Sequence, residues 1–337
     1  MEEQLLFLIG PPRSGSTMLA HMLGSHADVF APQEPHLLTP LAHLGYYERV
    51  EKAPYDPVIT QTALRQLVGA LPNGEDDYLD ALRAATDILY RRLLEPTGRR
   101  LLLDKTPAYA LVLDFIARLY PRARYLVLTR NPLAVWTSYA ESFFDGDHAV
   151  AQAHNPLLER YVPAIARFLR ERPVSLLHVR YEELVTEPTP RLERICEFSG
   201  LRFDPAMVEY GRAGQAVTQA ADGLGDPITV ARESRPTTRS VERWTRDLAG
   251  NAPAVDLAAR TLAGLTDADL ETWGYSRREL EAQLDAVDLG APRPKRRRLT
   301  RYTAQRKLLV LLRRDIHHNA LGRLLRRVRT ACDVLLR

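Results

Sequence analysis

The stretch from Leu5 to Leu23, LLFLIGPPRSGSTMLAHML, constrains this chain more than any other. Leu5 to Ile9 is a continuous apolar run, too short for a helix and stopped by Gly10-Pro11-Pro12, which predicts a buried strand. Met18, Leu19, Met22 and Leu23 then recur at helical spacing, so a helix follows at once and ends near Gly24. Strand, Gly-containing loop, then helix is the context in which backbone N–H groups and a helix N-terminus hold a phosphate. In the loop Pro11 to Thr17, Gly15 permits close approach to an anion, Ser14, Ser16 and Thr17 add hydroxyls, and Arg13 adds a permanent charge. The competing reading is an ordinary strand-to-helix turn. A nucleotide-hydrolysing P-loop carries a Lys that reaches the β- and γ-phosphates. The four lysines of this chain, Lys52, Lys105, Lys295 and Lys307, all lie outside the loop.

The pattern of short strand followed by helix repeats along the chain. Leu101 to Asp104, Tyr125 to Thr129 and Ser175 to Arg180 read as further strands, each followed by a helical period. Alternation of this kind predicts an α/β fold with a P-loop-like central parallel sheet flanked by helices. Ligands of such sheets bind beyond the carboxyl ends of the strands, where Lys105 and Arg130 fall. Pro132 is placed to open a helix, and Ser138 lies about two turns into it, so Arg130 and Ser138 can grip one phosphate by charge and hydroxyl. Glu34 lies between Pro32 and Pro35, which hold the backbone extended a few residues beyond the loop helix. A carboxylate there can serve as a general base, with His36 the competing base and a solvated loop carboxylate the plain alternative. Between Pro40 and Pro96 the clearest element is a helix from Glu75 to Leu94, read as part of a substrate lid. Tyr181 offers either a flat face for stacking or ordinary strand-end packing, and Arg191 to Ser199 is a scaffold helix.

The net charge of +4 hides a division. Residues 293–337 hold 15 Lys and Arg against Asp315 and Asp333, a net +13, while the other 292 residues hold 31 basic and 40 acidic side chains, a net −9. The boundaries this predicts are a catalytic domain over 1–290 and a basic linker with an amphipathic helical tail over 291–337. Leu308, Leu309, Leu312 and Ile316, then Leu324, Leu325, Val328 and Leu335, give the tail its apolar faces. Such a tail suits an anionic membrane surface, an acidic partner, or the acidic body itself. No aromatic interleaving or base-reading motif points to nucleic acid. Cys196 and Cys332 have neither a disulfide framework nor metal spacing. The acidic start, Glu2 and Glu3, predicts no signal peptide, and no apolar run approaches the ~18 residues of a membrane span. The body is expected in the cytoplasm, associated with the membrane if the tail meets lipid; the sequence leaves the oligomeric state open.

These motifs together resemble those of sulfotransferases that use 3′-phosphoadenosine 5′-phosphosulfate (PAPS). Arg13 to Thr17 match the family's Pro-[Lys/Arg]-Ser-Gly-[Ser/Thr]-Thr loop, and Leu128 to Tyr139 match its L-T-R-N-P-x-x-x-x-x-S-Y segment. F-A-P-x-E at Phe30 to Glu34, D-K-T-P-x-Y-A-L at Asp104 to Leu111, the aromatic-E-E-L at Tyr181 to Leu184 and L-G-D before E-R-W are also similar to stand-alone bacterial sulfotransferases and to sulfotransferase domains of polyketide synthases. The resemblance runs from Leu5 to about Tyr275 and implies PAPS as co-substrate, with no metal and no prosthetic group. It assigns Arg13, Ser14, Gly15, Ser16 and Thr17 to the 5′-phosphosulfate, Arg130 and Ser138 to the 3′-phosphate, and Tyr181 to the adenine. A late loop over the nucleotide would bring Arg235, Arg239 and Ser240. Glu34 corresponds to the catalytic base, while Arg13 and Lys105 would stabilise the sulfuryl and leaving oxygens; a surface ion pair is the alternative for Lys105. The acceptor is expected to be a hydroxyl of a small molecule, a lipid or a carrier-bound acyl chain, in natural product biosynthesis. The chain departs from the polyketide synthase domains at Pro227 to Arg232, where they carry a histidine. Two other classes stay open: a nucleotide-binding regulator that transfers nothing, and a small-molecule P-loop kinase, which the missing loop Lys disfavours.

Overall fold

Leu5–Ile9 forms β1, buried at all five positions, and it is the central strand of one parallel sheet with the order β2-β3-β1-β4-β5. The computed structural model describes residues 1–32, 34, 37, 38, 41, 57–210, 235–290, 324 and 328. Within these, β2 is Val29–Phe30, β3 Leu101–Asp104, β4 Arg124–Thr129 and β5 Ser175–Arg180. Register is set on both sides of β1: Leu5 opposes Leu102 and Phe7 opposes Asp104 in β3, while Leu6 opposes Arg124 and Ile9 opposes Val127 in β4. The α/β fold and the strands read from the sequence are those found. Val29–Phe30 is too short to show a period in the sequence; pairing with Leu101 and Leu102 makes these residues an edge strand.

Alternation of side chains along the strands divides the core into two layers. Leu5, Phe7 and Ile9 face one layer with Leu102, Tyr125 and Val127; Leu6 and Leu8 face the other with Leu103, Leu126 and Leu128. The second layer is covered by α1 (Ser16–Gly24), α8 (Tyr181–Thr186) and α9 (Pro188–Ser199), through Leu19, Met22, Leu184 and Ile195. The first is covered by α3 (Glu75–Leu94), α4 (Leu113–Leu119), α5 (Pro132–Phe143), α6 (His148–His154) and α7 (Leu157–Glu171), through Tyr90, Ile116, Leu133, Ala151 and Ile165. A helix α2 (Pro57–Gly69) precedes α3. Beyond residue 235 come a short 3-10 turn, Thr238–Ser240, then α10 (Arg243–Leu248), α11 (Ala252–Ala263), α12 (Asp267–Trp273) and α13 (Arg277–Asp285), and these join the first layer through Trp244, Leu262, Trp273 and Leu284. The last of these helices, α13, ends at Asp285.

Several expectations fall outside the described residues: His36, the stretch Pro227 to Arg232, and the linker and tail apart from Leu324 and Val328, both more than half exposed. Among the described residues, no helix is long and apolar enough to cross a membrane.

Candidate active site

All the carboxyl ends of β1, β3, β4 and β5 lie on one edge of the sheet, and the order of strands reverses about β1. That is where an open parallel sheet offers a crevice. The turn leaving β1 is tight. A Cβ on Gly10 would stand 2.8 Å from Ser14 Oγ and 2.9 Å from the carbonyl oxygen of Leu128, so only glycine fits. Arg13 (φ 71°) and Gly15 (φ 96°) are both left-handed and flank Ser14, the kind of backbone that turns N–H groups inward as an anion-binding concavity. α1 starts at Ser16 with no side-chain cap, leaving the first-turn N–H groups of the helix for another partner. Anion approach is one demand on Gly15; the tighter one is on its far side, where a Cβ would stand 2.5 Å from the ring of Tyr181.

Two guanidiniums join this loop to the end of β4. Arg13 Nε donates to Ser138 Oγ at 3.2 Å, from the loop to α5. Arg130 Nη1 donates to the carbonyl of Arg13 at 3.0 Å, and Nη2 to the carbonyl of Ser240 at 2.6 Å. The Arg130 guanidinium lies over the ring of Tyr181, 4.4 Å from its centroid. Burial pulls its pKa below the usual value, and the neighbouring Arg13 acts in the same direction. Two like charges facing one crevice, one of them buried, form an arrangement that an anion relieves. Among the described residues, two buried polar atoms here have no hydrogen-bond partner, Ser14 Oγ in the loop and Arg130 Nε at the end of β4. Orphaned donors of this kind fit a ligand with phosphate-like oxygens at both places.

Beside the loop, Lys105 follows the last residue of β3 and is 5% exposed. Its ammonium forms an ion pair with Glu34, whose side chain is 11% exposed, and also donates to Thr17 Oγ1 at 3.3 Å. The structure therefore brings together Arg13, Ser14, Gly15, Thr17, Glu34, Lys105, Arg130, Ser138, Tyr181 and Ser240. Of the other late-loop candidates, Arg235 is exposed, 4.0 Å from Glu209, and Arg239, next to Ser240, is exposed.

The sequence profile described as "Sulfotransferase family" matches residues 6–205, more than half of the chain. The chain belongs to the sulfotransferase family. Nodulation protein NoeE of Sinorhizobium fredii strain NGR234 is 30% identical over 265 residues, which are 72% of this chain and 60% of NoeE. The chain thus spans about 60% of that relative's length. Among solved structures, the sulfotransferase domain of the Synechococcus PCC 7002 olefin synthase is 28% identical, with a TM-score of 0.48, covering 71% of this chain and 86% of that one. The sulfotransferase domain from the curacin biosynthetic pathway is 23% identical, also at 0.48, covering 71% and 89%.

The site also rests on residues that no local sequence pattern marks. The carbonyl of Arg130 accepts the indole N–H of Trp273 at 2.8 Å. The N–H of Asn131 is accepted by Glu182 Oε1 at 3.0 Å, Glu182 in turn accepts from the Tyr275 hydroxyl, and Asn131 Nδ2 donates to Gln283 Oε1 at 3.0 Å. Asn131 Oδ1 caps α5, accepting from the N–H groups of Leu133 and Ala134. Residues from α12 and α13 thus hold the turn that carries Arg130, and nothing in their local sequence marks them for it. The Asn-Pro pair after Arg130 was the one available signal, as an N-cap before Pro at the first helical position.

Proposed function

We propose that this protein transfers the sulfuryl group of PAPS, in line, to a hydroxyl of a small molecule, a lipid or a carrier-bound acyl chain. The observation that carries the reading is the meeting, at four strand ends, of the Arg13–Thr17 loop, the Lys105–Glu34 pair, and Arg130 and Ser138, which each bond to Arg13. The loop amides with Ser14, Ser16 and Thr17 would hold the 5′-phosphosulfate, and Arg130 with Ser138 the 3′-phosphate. Tyr181, whose ring lies beneath the Arg130 guanidinium, would flank the adenine. Bound there, PAPS supplies an activated sulfuryl group whose leaving group is adenosine 3′,5′-bisphosphate.

The residues then divide the work. Glu34 accepts the proton of the attacking hydroxyl at its carboxylate. Lys105 and Arg13 offer fixed positive charge to oxygens on which charge grows during transfer. Because Lys105 touches both Glu34 and Thr17, one ammonium spans the distance between base and loop. As in phosphoryl transfer, positioning and electrostatics carry most of the catalysis. The motif resemblance to polyketide synthase sulfotransferase domains supports a carrier-bound acceptor, and the departure at Pro227 to Arg232 weighs against one.

The test is transfer from radiolabelled PAPS to a library of hydroxyl compounds, with labelled ATP as control. Sulfuryl transfer is expected and phosphoryl transfer is not; label moved from ATP alone would overturn the reading. Glu34→Gln keeps shape and loses basicity, so binding of adenosine 3′,5′-bisphosphate should survive while turnover falls by about 10²–10⁴. Near-normal turnover in that variant would remove Glu34 as the base and make His36→Ala the next measurement.

A further inference from the structure

The scheme above leaves unused a fully buried carboxylate at the crevice. Asp104 closes β3 immediately before Lys105 and is inaccessible to solvent. Its Oδ2 accepts from two phenols, Tyr90 of α3 at 2.6 Å and Tyr109 at 3.0 Å, and its Oδ1 accepts from Thr106 Oγ1 at 3.3 Å. The two phenols differ in what else they reach. The hydroxyl oxygen of Tyr109 also accepts the backbone N–H of Leu38 at 3.0 Å, a buried bond across 71 residues of chain. Leu38 is itself fully buried and lies four residues beyond Glu34.

The chemistry fixes the direction of this relay. A phenol has one proton; since Tyr109 accepts from the Leu38 amide, its own proton goes to Asp104, which as a carboxylate can only accept. The Tyr109 ring is held as well, packed edge-on against Phe7 of β1 with centroids 6.3 Å apart. Proline has no amide donor, so prolines at 32 and 35 reduce the backbone bonds open to this segment and give weight to an anchor from outside it. We propose that Tyr109 is a positioning residue of this active site: oriented by Asp104, it ties down the backbone at Leu38 and so sets where Glu34 stands against Lys105. The effect on turnover rests on the sulfuryl-transfer reading given above; the anchoring of Leu38 does not.

The test compares Tyr109→Phe with Tyr90→Phe in the full chain. Each removes one phenol donor from the same carboxylate, and only Tyr109→Phe removes the acceptor of the Leu38 amide. Hydrogen exchange at Leu38 should accelerate about tenfold in Tyr109→Phe, the loss expected for one hydrogen bond, and stay unchanged in Tyr90→Phe. At saturating PAPS and acceptor, kcat should fall in Tyr109→Phe by up to ~10²-fold, the scale of a small misplacement of a reacting group. Tyr90→Phe should keep its kcat, and both variants should bind adenosine 3′,5′-bisphosphate as the parent does. Equal effects of the two variants on exchange and turnover would overturn the proposal, leaving a cluster that serves stability alone. So would normal exchange at Leu38 in Tyr109→Phe. A parent protein that transfers no sulfuryl group but shows the selective change at Leu38 would overturn the functional reading and retain the anchor.

Discussion

At the scale of single residues, Arg130 is the side chain whose loss should be most informative. Its guanidinium is buried and already spends two donors on the carbonyls of Arg13 and Ser240, so the geometry leaves little freedom in where its remaining charge points. Arg130→Ala should weaken adenosine 3′,5′-bisphosphate by ~2–5 kcal/mol in calorimetric titration, with a much smaller change for a nucleotide lacking the 3′-phosphate. Equal weakening of both would make Arg130 a purely structural residue. Two other buried groups give the protein opposing responses to acid. Burial pushes the Asp104 carboxyl up to about 6, and burial beside the Trp136 indole pushes the His148 imidazole down to about 4. The native state holds the Asp104 proton more tightly than the unfolded chain, whose Asp titrates near 3.9; that contribution is full below about pH 4 and is lost as pH rises through about 6. His148 works the other way: its contribution is full above about 6.5, the unfolded value, and is lost as pH falls through about 4. Each amounts to about 3 kcal/mol, so they nearly cancel. Unfolding free energies from pH 4 to 7 should show it: the advantage of the parent over Asp104→Asn shrinks with rising pH, and its advantage over His148→Gln grows.

At the scale of elements, the short turn from β4 into α5 shows how far the site was legible in advance. Arg130, Pro132 and Ser138 were visible because strand end, helix start and helical spacing are local properties of the chain. What holds the turn was not visible, since Trp273, Tyr275 and Gln283 come from α12, α13 and the link between them, more than 130 residues away. Hydrophobic period placed those helices and said nothing of which polar edge they present. The same limit explains Tyr181: its position at the end of β5 was clear, but the neighbours that take up its ring, Gly15 and Arg130, are contributed by two other strands. Trp273→Phe isolates the brace. It keeps the apolar bulk in part and leaves the Arg130 carbonyl without its indole donor, which should cost about 1–3 kcal/mol in denaturant unfolding. Affinity for adenosine 3′,5′-bisphosphate should fall in the same variant, because the carbonyl belongs to the residue that carries the charge.

At the scale of the whole molecule, the described contacts of the candidate site draw on residues from Gly10 to Gln283. A chain ending at Gly290 should therefore bind adenosine 3′,5′-bisphosphate as tightly as the full chain. If the +13 segment meets anionic lipid, only the full chain should sediment with phosphatidylserine vesicles, and raised salt should release it, each basic residue near such a surface contributing ~1 kcal/mol. Sedimentation of both chains alike, or of neither, would remove lipid from the reading. The position of β1 at the centre of the sheet has a consequence for synthesis. The strand is wholly apolar, and both of its neighbours lie downstream, β3 beginning at Leu101 and β4 at Arg124. At about 5–20 residues per second, a ribosome delivers β1 roughly 5 to 20 s before the nearer partner exists. For that interval LLFLI has neither of its strand partners, and nascent chains that stall before residue 101 should be the ones that ribosome-associated chaperones hold longest, as crosslinking of stalled chains would show.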